Sequence, residues 1–396
     1  MFFSISKQQE TNFSHCYQLG NFYINTDAGW QQTTVQHYQI VYKGYSDLYN
    51  IEDAISIVVD NAEPTLLGNF CAVVFDTDSN SIKIKTDKYR SFPIFINSGI
   101  NVTNLIQSTH TVWADSLVEI YSDLTVNETK FDVIGFIDTE FISVEKVVKE
   151  IDLILADKTR NFLNHNRLPV KVFLSGGVDS LLVYSYLQRF TDQYELVKGQ
   201  HIDYDEFWLK NSETLGKFWG YKQIHHWIDP CILASGAPGD EFMLRSPVTV
   251  NLFLKSQDYN MIELLEQDLW KKCLHHTYFG RSKHVEIFQN QSPPPNWSRH
   301  DMLWNLCNIL VNDWQHWHIG NTLTWTPLRD LRIIKLLLRL PADQALGQIM
   351  NSDISQTLIE HNYPGLSRCI SDQKNSMNSM ANLVNFYFNK SDSSAQ

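Results

Sequence analysis

A short glycine-containing segment, Ser175-Gly176-Gly177-Val178-Asp179-Ser180, has the residue types that bind phosphate groups. Adjacent glycines let the backbone approach an anion closely, and successive N–H groups between a strand and a helix form an anion-binding concavity. Asp179 is itself negative, and a bridging Mg²⁺ would reconcile it with phosphate, because hard cations bind carboxylate and phosphate oxygens together. The segment therefore predicts a phosphate site with magnesium; a plain glycine turn with a helix cap is the alternative.

At these residues the chain resembles the PP-loop ATP pyrophosphatases, and specifically the asparagine synthetase family. A second segment, Ser235-Gly236-Ala237-Pro238-Gly239-Asp240-Glu241, is similar to the family pattern S-G-x-G-x-D-E, whereas the phosphate loop GxxxxGK[ST] is absent. The resemblance implies an ATP- and Mg²⁺-dependent ligase that forms AMP and pyrophosphate. It also implies that Asp179 and Asp240 are catalytic residues that meet across the site as the two metal ligands. An ordinary Gly-Pro loop is the alternative for the second segment.

The same resemblance implies a set of nucleotide contacts and one further catalytic residue. The nucleotide contacts are Phe173, Ser175, Gly176, Gly177, Val178, Ser180, Ser235 and Gly236. Lys374 is the best-placed basic residue for binding pyrophosphate, and a solvated surface lysine is the alternative. The segment Trp325 to Asp330, with the helix Leu331 to Leu340 after it, also resembles the family, but we expect it to be mostly core.

The N-terminal region resembles the glutaminase domain of that family. The resemblance lies in Leu67 to Ala72, followed by Asp76, and in Asp87 to Phe95, where Arg90 replaces a glycine. Position 2 is Phe2 instead of the nucleophilic cysteine, and internal cysteines have no free α-amino group to act as a base. We therefore expect a degenerate domain without glutaminase activity. Nitrogen would come from free ammonia, a partner glutaminase or an amine on a substrate.

A second departure from the family concerns the chemistry of amide formation. Ala237 stands where asparagine synthetases carry a glutamate that is thought to assist proton transfer, and such groups contribute about 10²–10⁴-fold in rate. We therefore expect a small-molecule or peptide carboxylate and an amine of which at least one differs from the substrates of asparagine synthesis, and the sequence identifies neither. An ammonia-dependent asparagine synthetase, and a catalytically silent relative that binds a nucleotide or a protein partner, are the alternatives.

The elements around these residues are predicted by apolar periodicity. Residues 1–125 contain short β-branched and aromatic runs at Phe22–Ile24, Tyr38–Tyr42, Phe70–Phe75 and Ile82–Lys85, with a hairpin turn at Asp76–Ser81. From residue 143 the pattern predicts a helix at Val144–Asn166, a strand at Val170–Leu174, a helix at Leu181–Phe190 and a strand at Glu195–His201. A helix through Gly220, a strand at Gln223–Ile228 and a largely helical region at 250–345 follow.

This strand–helix alternation indicates a parallel sheet covered by helices, hence an α/β protein. With the family resemblance, we expect an Ntn-like αββα sandwich at 1–125 and a PP-loop domain with a helical C-terminal part at 143–390.

Composition excludes several other classes. The net charge of −12 argues against non-specific nucleic-acid binding, and we expect Arg329, Arg332, Lys335 and Arg339 on the solvated edge of a helix. The six cysteines show no CxxC spacing, so a zinc site or a disulfide framework is not expected. No apolar run of about 18 residues exists, and the first ten residues lack signal-peptide features. We therefore expect a cytoplasmic protein that binds no membrane.

Overall fold

The computed structural model describes residues 3–7, 9, 13, 15–26, 29–46, 58, 68–89, 92, 94–97, 101–103, 110–112, 115–123, 125–130, 140–174, 177–197, 230–237, 239–245 and 322–370. In these residues the chain is mixed α/β, with antiparallel sheets, a parallel strand pair and helices. It divides into two compact units, formed by residues 1–135, 199–232 and 270–325 and by residues 136–198, 233–269 and 326–396.

Two antiparallel six-stranded sheets make up the N-terminal part of the first unit. Their strands are β1 (Phe3–Ser6), β2 (His15–Leu19), β3 (Phe22–Thr26), β4 (Gln31–Val35), β5 (Tyr38–Ser46), β6 (Gly68–Asp76), β7 (Ser81–Thr86), β8 (Phe95–Asn97), β9 (Asn101–Thr103), β10 (His110–Thr111), β11 (Ser116–Ile120) and β12 (Val126–Lys130). The strand orders are β10-β8-β9-β1-β3-β2 and β12-β11-β7-β6-β5-β4.

Strand β6 shows how the apolar pattern builds this unit. Successive side chains of a strand point to opposite faces, and both faces of β6 are buried. Cys71, Val73 and Phe75 join a cluster that also contains residues of the first sheet, such as Ile5 and Ile24. Phe70, Ala72 and Val74 enter a separate cluster on the opposite face. The two sheets therefore share one hydrophobic core, and the second sheet is covered on both faces.

The strands expected at 22–24, 38–42, 70–75 and 82–85 are confirmed, and so is the hairpin between β6 and β7. Its turn is closed by Asp76, whose Oδ1 accepts the N–H groups of Asp78 (2.9 Å) and Ser79 (3.2 Å). This is the side-chain-to-backbone bonding by which aspartate stabilises turns.

The remaining described elements are a mixture of helices and strands. They are α1 (Val144–His165), β13 (Val170–Phe173), α2 (Val178–Phe190), β14 (Glu195–Val197), β15 (Cys231–Ala234), α3 (Gly239–Phe242), β16 (Thr322–Trp325), α4 (Leu331–Leu337), α5 (Ala342–Asn351), α6 (Asp353–Asn362) and a 3₁₀ turn (Leu366–Cys369). The sheet has the order β14-β13-β15-β16, and β13 and β14 pair in parallel. None of the described helices is long and apolar enough to cross a membrane.

Helix α1 lies where its periodicity predicts it. The Ser143 side chain accepts the N–H of Lys146 as an N-cap, and Val147, Ile151 and Phe162 lie on the buried stripe. Helix α2 begins at Val178, three residues before the expected start, because the glycine segment itself forms the cap. The expected strand Glu195–His201 is present over Glu195–Val197, and its remainder lies outside the described residues, as do the elements expected at 223–228 and through Gly220.

One expectation for the C-terminal part is wrong, and another is tested only in part. The region expected to be largely helical, 250–345, is described only from residue 322. This part contains α4 and the start of α5, but also β16, whose Thr-Leu-Thr-Trp sequence favours a strand. Arg329 does not lie on a solvated helix edge; it precedes α4 and is only 1 % exposed. The helix expected at Leu331–Leu340 is present over Leu331–Leu337, so Arg329 lies before its first turn, in the buried segment that ends at Asp330.

Candidate functional site

Asp179 lies in the first turn of α2, directly after the parallel strand β13, which ends at Phe173. Gly177 is the N-cap residue in an extended conformation (φ −77°, ψ 157°) and offers no capping side chain. The Ser180 hydroxyl donates to the Gly177 carbonyl oxygen at 2.8 Å. Ser175 and Gly176 lie outside the described residues. Asp179 therefore lies at the start of a helix that follows a strand, as expected.

The second segment packs directly against this turn through its glycines. A Cβ atom on Gly236 would lie 2.4 Å from both the carbonyl carbon of Asp179 and the backbone nitrogen of Ser180. A Cβ atom on Gly239 would lie 2.2 Å from Cγ of Asp179 and 2.5 Å from its Oδ1. Any larger residue at either position would overlap Asp179, so the two glycines allow the segments to contact each other this closely.

The carboxylates of Asp179 and Asp240 both contact the side chain of Arg245. Arg245 Nη2 lies 2.7 Å from Asp240 Oδ1 and also contacts Asp179 Oδ2. Its other terminal nitrogen, Nη1, donates to the Ser352 hydroxyl at 3.1 Å. Sequence reasoning did not identify Arg245. The signal available in the sequence was a lone arginine a few residues after Asp240 and Glu241.

The Arg245 guanidinium is held in place by the corner between α5 and α6. Ser352 ends α5 in the left-handed conformation (φ 62°) and begins α6. The buried Gln348 side chain donates to the Met243 carbonyl oxygen (2.7 Å) and accepts the N–H of Ile354 (2.9 Å). These hydrogen bonds connect the backbone just before Arg245 to the same corner that supplies the Ser352 hydroxyl.

The electrostatics of the site are dominated by crowded acidic groups. Side chains are 16 % exposed for Asp179, 13 % for Arg245 and 63 % for Asp240. Burial raises the pKa of Asp179; Arg245 opposes this rise and Asp240 adds to it. Burial, with the charge of Asp240, also raises the pKa of the neighbouring Glu241. One guanidinium therefore balances only part of the negative charge, and the site favours additional positive charge.

The residues present fit a divalent cation in charge and donor type. Asp179 Oδ1 is buried and has no hydrogen-bond partner among the described residues, and a buried unsatisfied carboxylate oxygen is costly. Carboxylates are the ligands that Mg²⁺ prefers, and it usually needs only one or two of them beside phosphates and waters. Asp179 and Asp240 would hold such an ion, which would have to share or replace the contacts now made by Arg245.

The other expected site residues are placed as follows. The Ser235 hydroxyl accepts the backbone N–H of Ala237 at 3.2 Å, which closes the turn after β15. Val178 is buried at the start of α2. The expectation that Trp325 to Asp330 is mostly core is confirmed, since both ends of this segment are at most 1 % exposed. Lys374, the expected pyrophosphate ligand, lies outside the described residues.

The two described cysteines of the N-terminal sheets are poor nucleophiles. Cys71 is buried in β6, where burial and the charge of Asp87 raise the pKa of its thiol. Burial also raises the pKa of Cys16, which lies inside β2. Since the thiolate is the reactive form, these shifts reduce the reactivity of both groups.

A histidine and two aspartates in the first unit lie close together, but they do not form a metal site comparable with that of Asp179 and Asp240. His37, Asp76 and Asp78 are the one cluster of such groups found within the described residues. The imidazole Nε2 is 3.9 Å from Asp76, whereas the opposite nitrogen, Nδ1, is 3.9 Å from Asp78. The ring therefore stands between the carboxylates, and Asp76 is already engaged in the turn.

The candidate site is formed by two short motifs that pack around Asp179. These motifs supply a pair of carboxylates, an arginine and the start of a helix after a parallel strand. No protein-family model and no curated protein matches this chain.

Proposed function

We propose that the chain is an ATP-dependent ligase that releases AMP and pyrophosphate. It adenylates a carboxylate and joins it to an amine, as the resemblance to the asparagine synthetase family implies. The observation that carries the proposal is the contact of Gly236 and Gly239 with Asp179, which brings the Asp179 and Asp240 carboxylates to one point at the start of α2. If the two motifs resembled the family only by chance, there would be no reason for them to pack so closely that a Cβ atom has no space between them.

Each part of the site then has a defined task. The backbone at the start of α2 binds phosphate oxygens, since a helix N-terminus favours negative charge. Asp179 and Asp240 hold Mg²⁺, which neutralises the pyrophosphate leaving group when it is bound. Ser235 and Gly236, next to them, contact the AMP portion. Arg245 supplies further positive charge beside the two carboxylates.

The finer fold assignment is part of the proposal. The N-terminal region, 1–125, is an Ntn-like sandwich that is retained as scaffold, and the region 143–390 is a PP-loop domain. Two antiparallel sheets with a common core support the former, and helix α2 following a parallel strand supports the latter. The amine comes from ammonia, from a substrate or from a partner glutaminase in the cytoplasm.

A second candidate function is a nucleotide-binding or partner-binding relative without turnover. The salt bridges of Arg245 favour it, because a guanidinium now contacts both proposed metal ligands. A protein that had lost catalysis could keep such a pair as a structural interaction.

Calorimetry of ATP binding with and without Mg²⁺, followed by ATP–pyrophosphate exchange over a panel of carboxylates, tests both candidates. We expect Mg²⁺ to strengthen ATP binding, and Asp179→Asn to weaken Mg·ATP binding by about tenfold or more and to abolish exchange, because it removes one ligand charge. Asp157→Asn, on the exposed surface of α1, is the matched control. Binding without exchange favours the silent relative. Absence of ATP binding by the folded wild-type protein contradicts both candidates.

A further inference from the structure

We propose that Arg245 is the internal counter-ion of the Asp179–Asp240 pair, that a divalent cation competes with it, and that metal loading transfers its guanidinium to the phosphates of the nucleotide. This inference rests on the proposed function. It assigns a phosphate-binding residue that neither motif contains, in addition to the residues that the family resemblance implies.

One nitrogen of Arg245 is shared by the two carboxylates. Arg245 Nη2 contacts a carboxylate oxygen of Asp179 and one of Asp240. A metal ion bound by both residues must take these oxygens or the positions next to them, and two cations in contact repel each other strongly. Metal binding and the present arginine contacts therefore compete.

A displaced Arg245 side chain would stay close to the site. Its Nη1 is held by the Ser352 hydroxyl, and Ser352 lies at a corner that is also attached to the backbone at Met243. The guanidinium is therefore retained beside the metal position. Its Nε is buried and has no hydrogen-bond partner among the described residues. A planar guanidinium with unused donors is suited to bidentate phosphate binding.

Charge also links metal binding to nucleotide binding. Asp179 and Asp240 share one guanidinium, that of Arg245, and the neighbouring Glu241 is a third acidic group in the cluster. Addition of Mg²⁺ offsets this excess of negative charge, which favours a polyanionic ligand such as a triphosphate. The metal-free site would repel that ligand, so binding of the metal and binding of the nucleotide are coupled.

The affinities for Mn²⁺ alone and for Mg·ATP, measured separately, distinguish this role of Arg245 from a general loss of the site. Arg245→Met removes the competing charge and the phosphate donors while preserving much of the side-chain volume. We expect it to bind Mn²⁺ alone, followed by electron paramagnetic resonance, about tenfold more tightly than wild type. We expect the same variant to bind ATP at saturating Mg²⁺ about tenfold more weakly. Arg160→Met, on the exposed surface of α1, should change neither affinity.

A second variant is available should Arg245→Met fail to fold. Ser352→Gly removes the hydroxyl that holds Nη1, and glycine suits the left-handed backbone at this position. We expect it to weaken Mg·ATP binding several-fold without weakening Mn²⁺ binding.

The outcomes separate this inference from the proposed function. Opposite changes in the two affinities of Arg245→Met support the inference. Mn²⁺ and Mg·ATP affinities that both fall, or that both stay at the wild-type values, overturn it even when wild type binds Mg·ATP as proposed. If wild type binds no ATP but Arg245→Met binds Mn²⁺ more tightly, the proposed function and the transfer to phosphate fail, whereas the counter-ion competition is supported.

Discussion

The contact between Gly236 and the first turn of α2 makes a quantitative prediction for Gly236→Ala. The added Cβ would lie 2.4 Å from the Asp179 carbonyl carbon and the Ser180 nitrogen, and 2.6 Å from the Asp179 carbonyl oxygen. These are backbone atoms of a helix whose first residues are buried, so no side-chain rotation relieves the overlap. Overpacking of a buried site costs about 1–3 kcal/mol. We expect the upper end of that range, about 3 kcal/mol.

Gly239→Ala provides an internal comparison for this magnitude. Its Cβ would overlap the Asp179 carboxylate, with Cγ at 2.2 Å, and a side chain can rotate away where a backbone cannot. We therefore expect a smaller loss of stability, about 1 kcal/mol, at the lower end of the overpacking range. The rotation would break the contact of Asp179 with Arg245, so this variant should lose Mg·ATP binding while it remains folded.

Urea unfolding at constant m-value measures both stabilities. Gly365→Ala is the control for a purely conformational cost, because its Cβ would meet nothing within 4 Å while its φ is +85°, and we expect a loss of about 1–2 kcal/mol. If Gly236→Ala unfolds with a free energy within about 0.5 kcal/mol of wild type, the range of an ordinary surface substitution, then the two motifs do not pack as described. The proposed metal and nucleotide site, which depends on that packing, would then be contradicted.

Further predictions concern the acidic group that caps α4 and the buried amide of α5. Burial raises the pKa of Asp330, but the charges of Lys158 and Arg332 outweigh this effect and lower the pKa from 3.8 to about 2. The shift stabilises the folded protein by about 2 kcal/mol at pH values above 4, and this contribution is lost as the pH falls toward 2. Urea unfolding from pH 5 to pH 2 should show a loss that Asp330→Asn lacks, and equal losses would contradict this ion-pair account. Gln348→Leu should lower the free energy of unfolding by at least about 2 kcal/mol, since it leaves the Ile354 N–H and a buried carbonyl unpaired. A fully stable Gln348→Leu protein would show that water or backbone movement replaces these bonds.

Local patterns predicted the elements well where residue type and spacing decide them. Strands β3, β5, β6 and β7 and helix α1 follow from runs and periodicity, and the Asp76 turn follows from side-chain chemistry. Strands β4, β11 and β12 of the second antiparallel sheet were not predicted. The short strand at residues 322–325 was not singled out within the region expected to be largely helical, although its Thr-Leu-Thr-Trp sequence favours a strand. Arg329 was expected at the surface and is buried, because charge alone does not report the surroundings of a side chain.

The sequence by itself determined which residue types could do chemistry and their order along the chain. The glycines near Asp179 and Asp240 can be identified from the sequence, since each motif is a short continuous segment. Only the tertiary structure decided what these residues contact. Gly239 is needed because the Asp179 carboxylate, 60 positions away along the chain, occupies the space of its Cβ. Arg245 joins the site because α3 and the α5–α6 corner place its guanidinium between the two carboxylates, and pairings between distant segments depend on packing that no local pattern encodes.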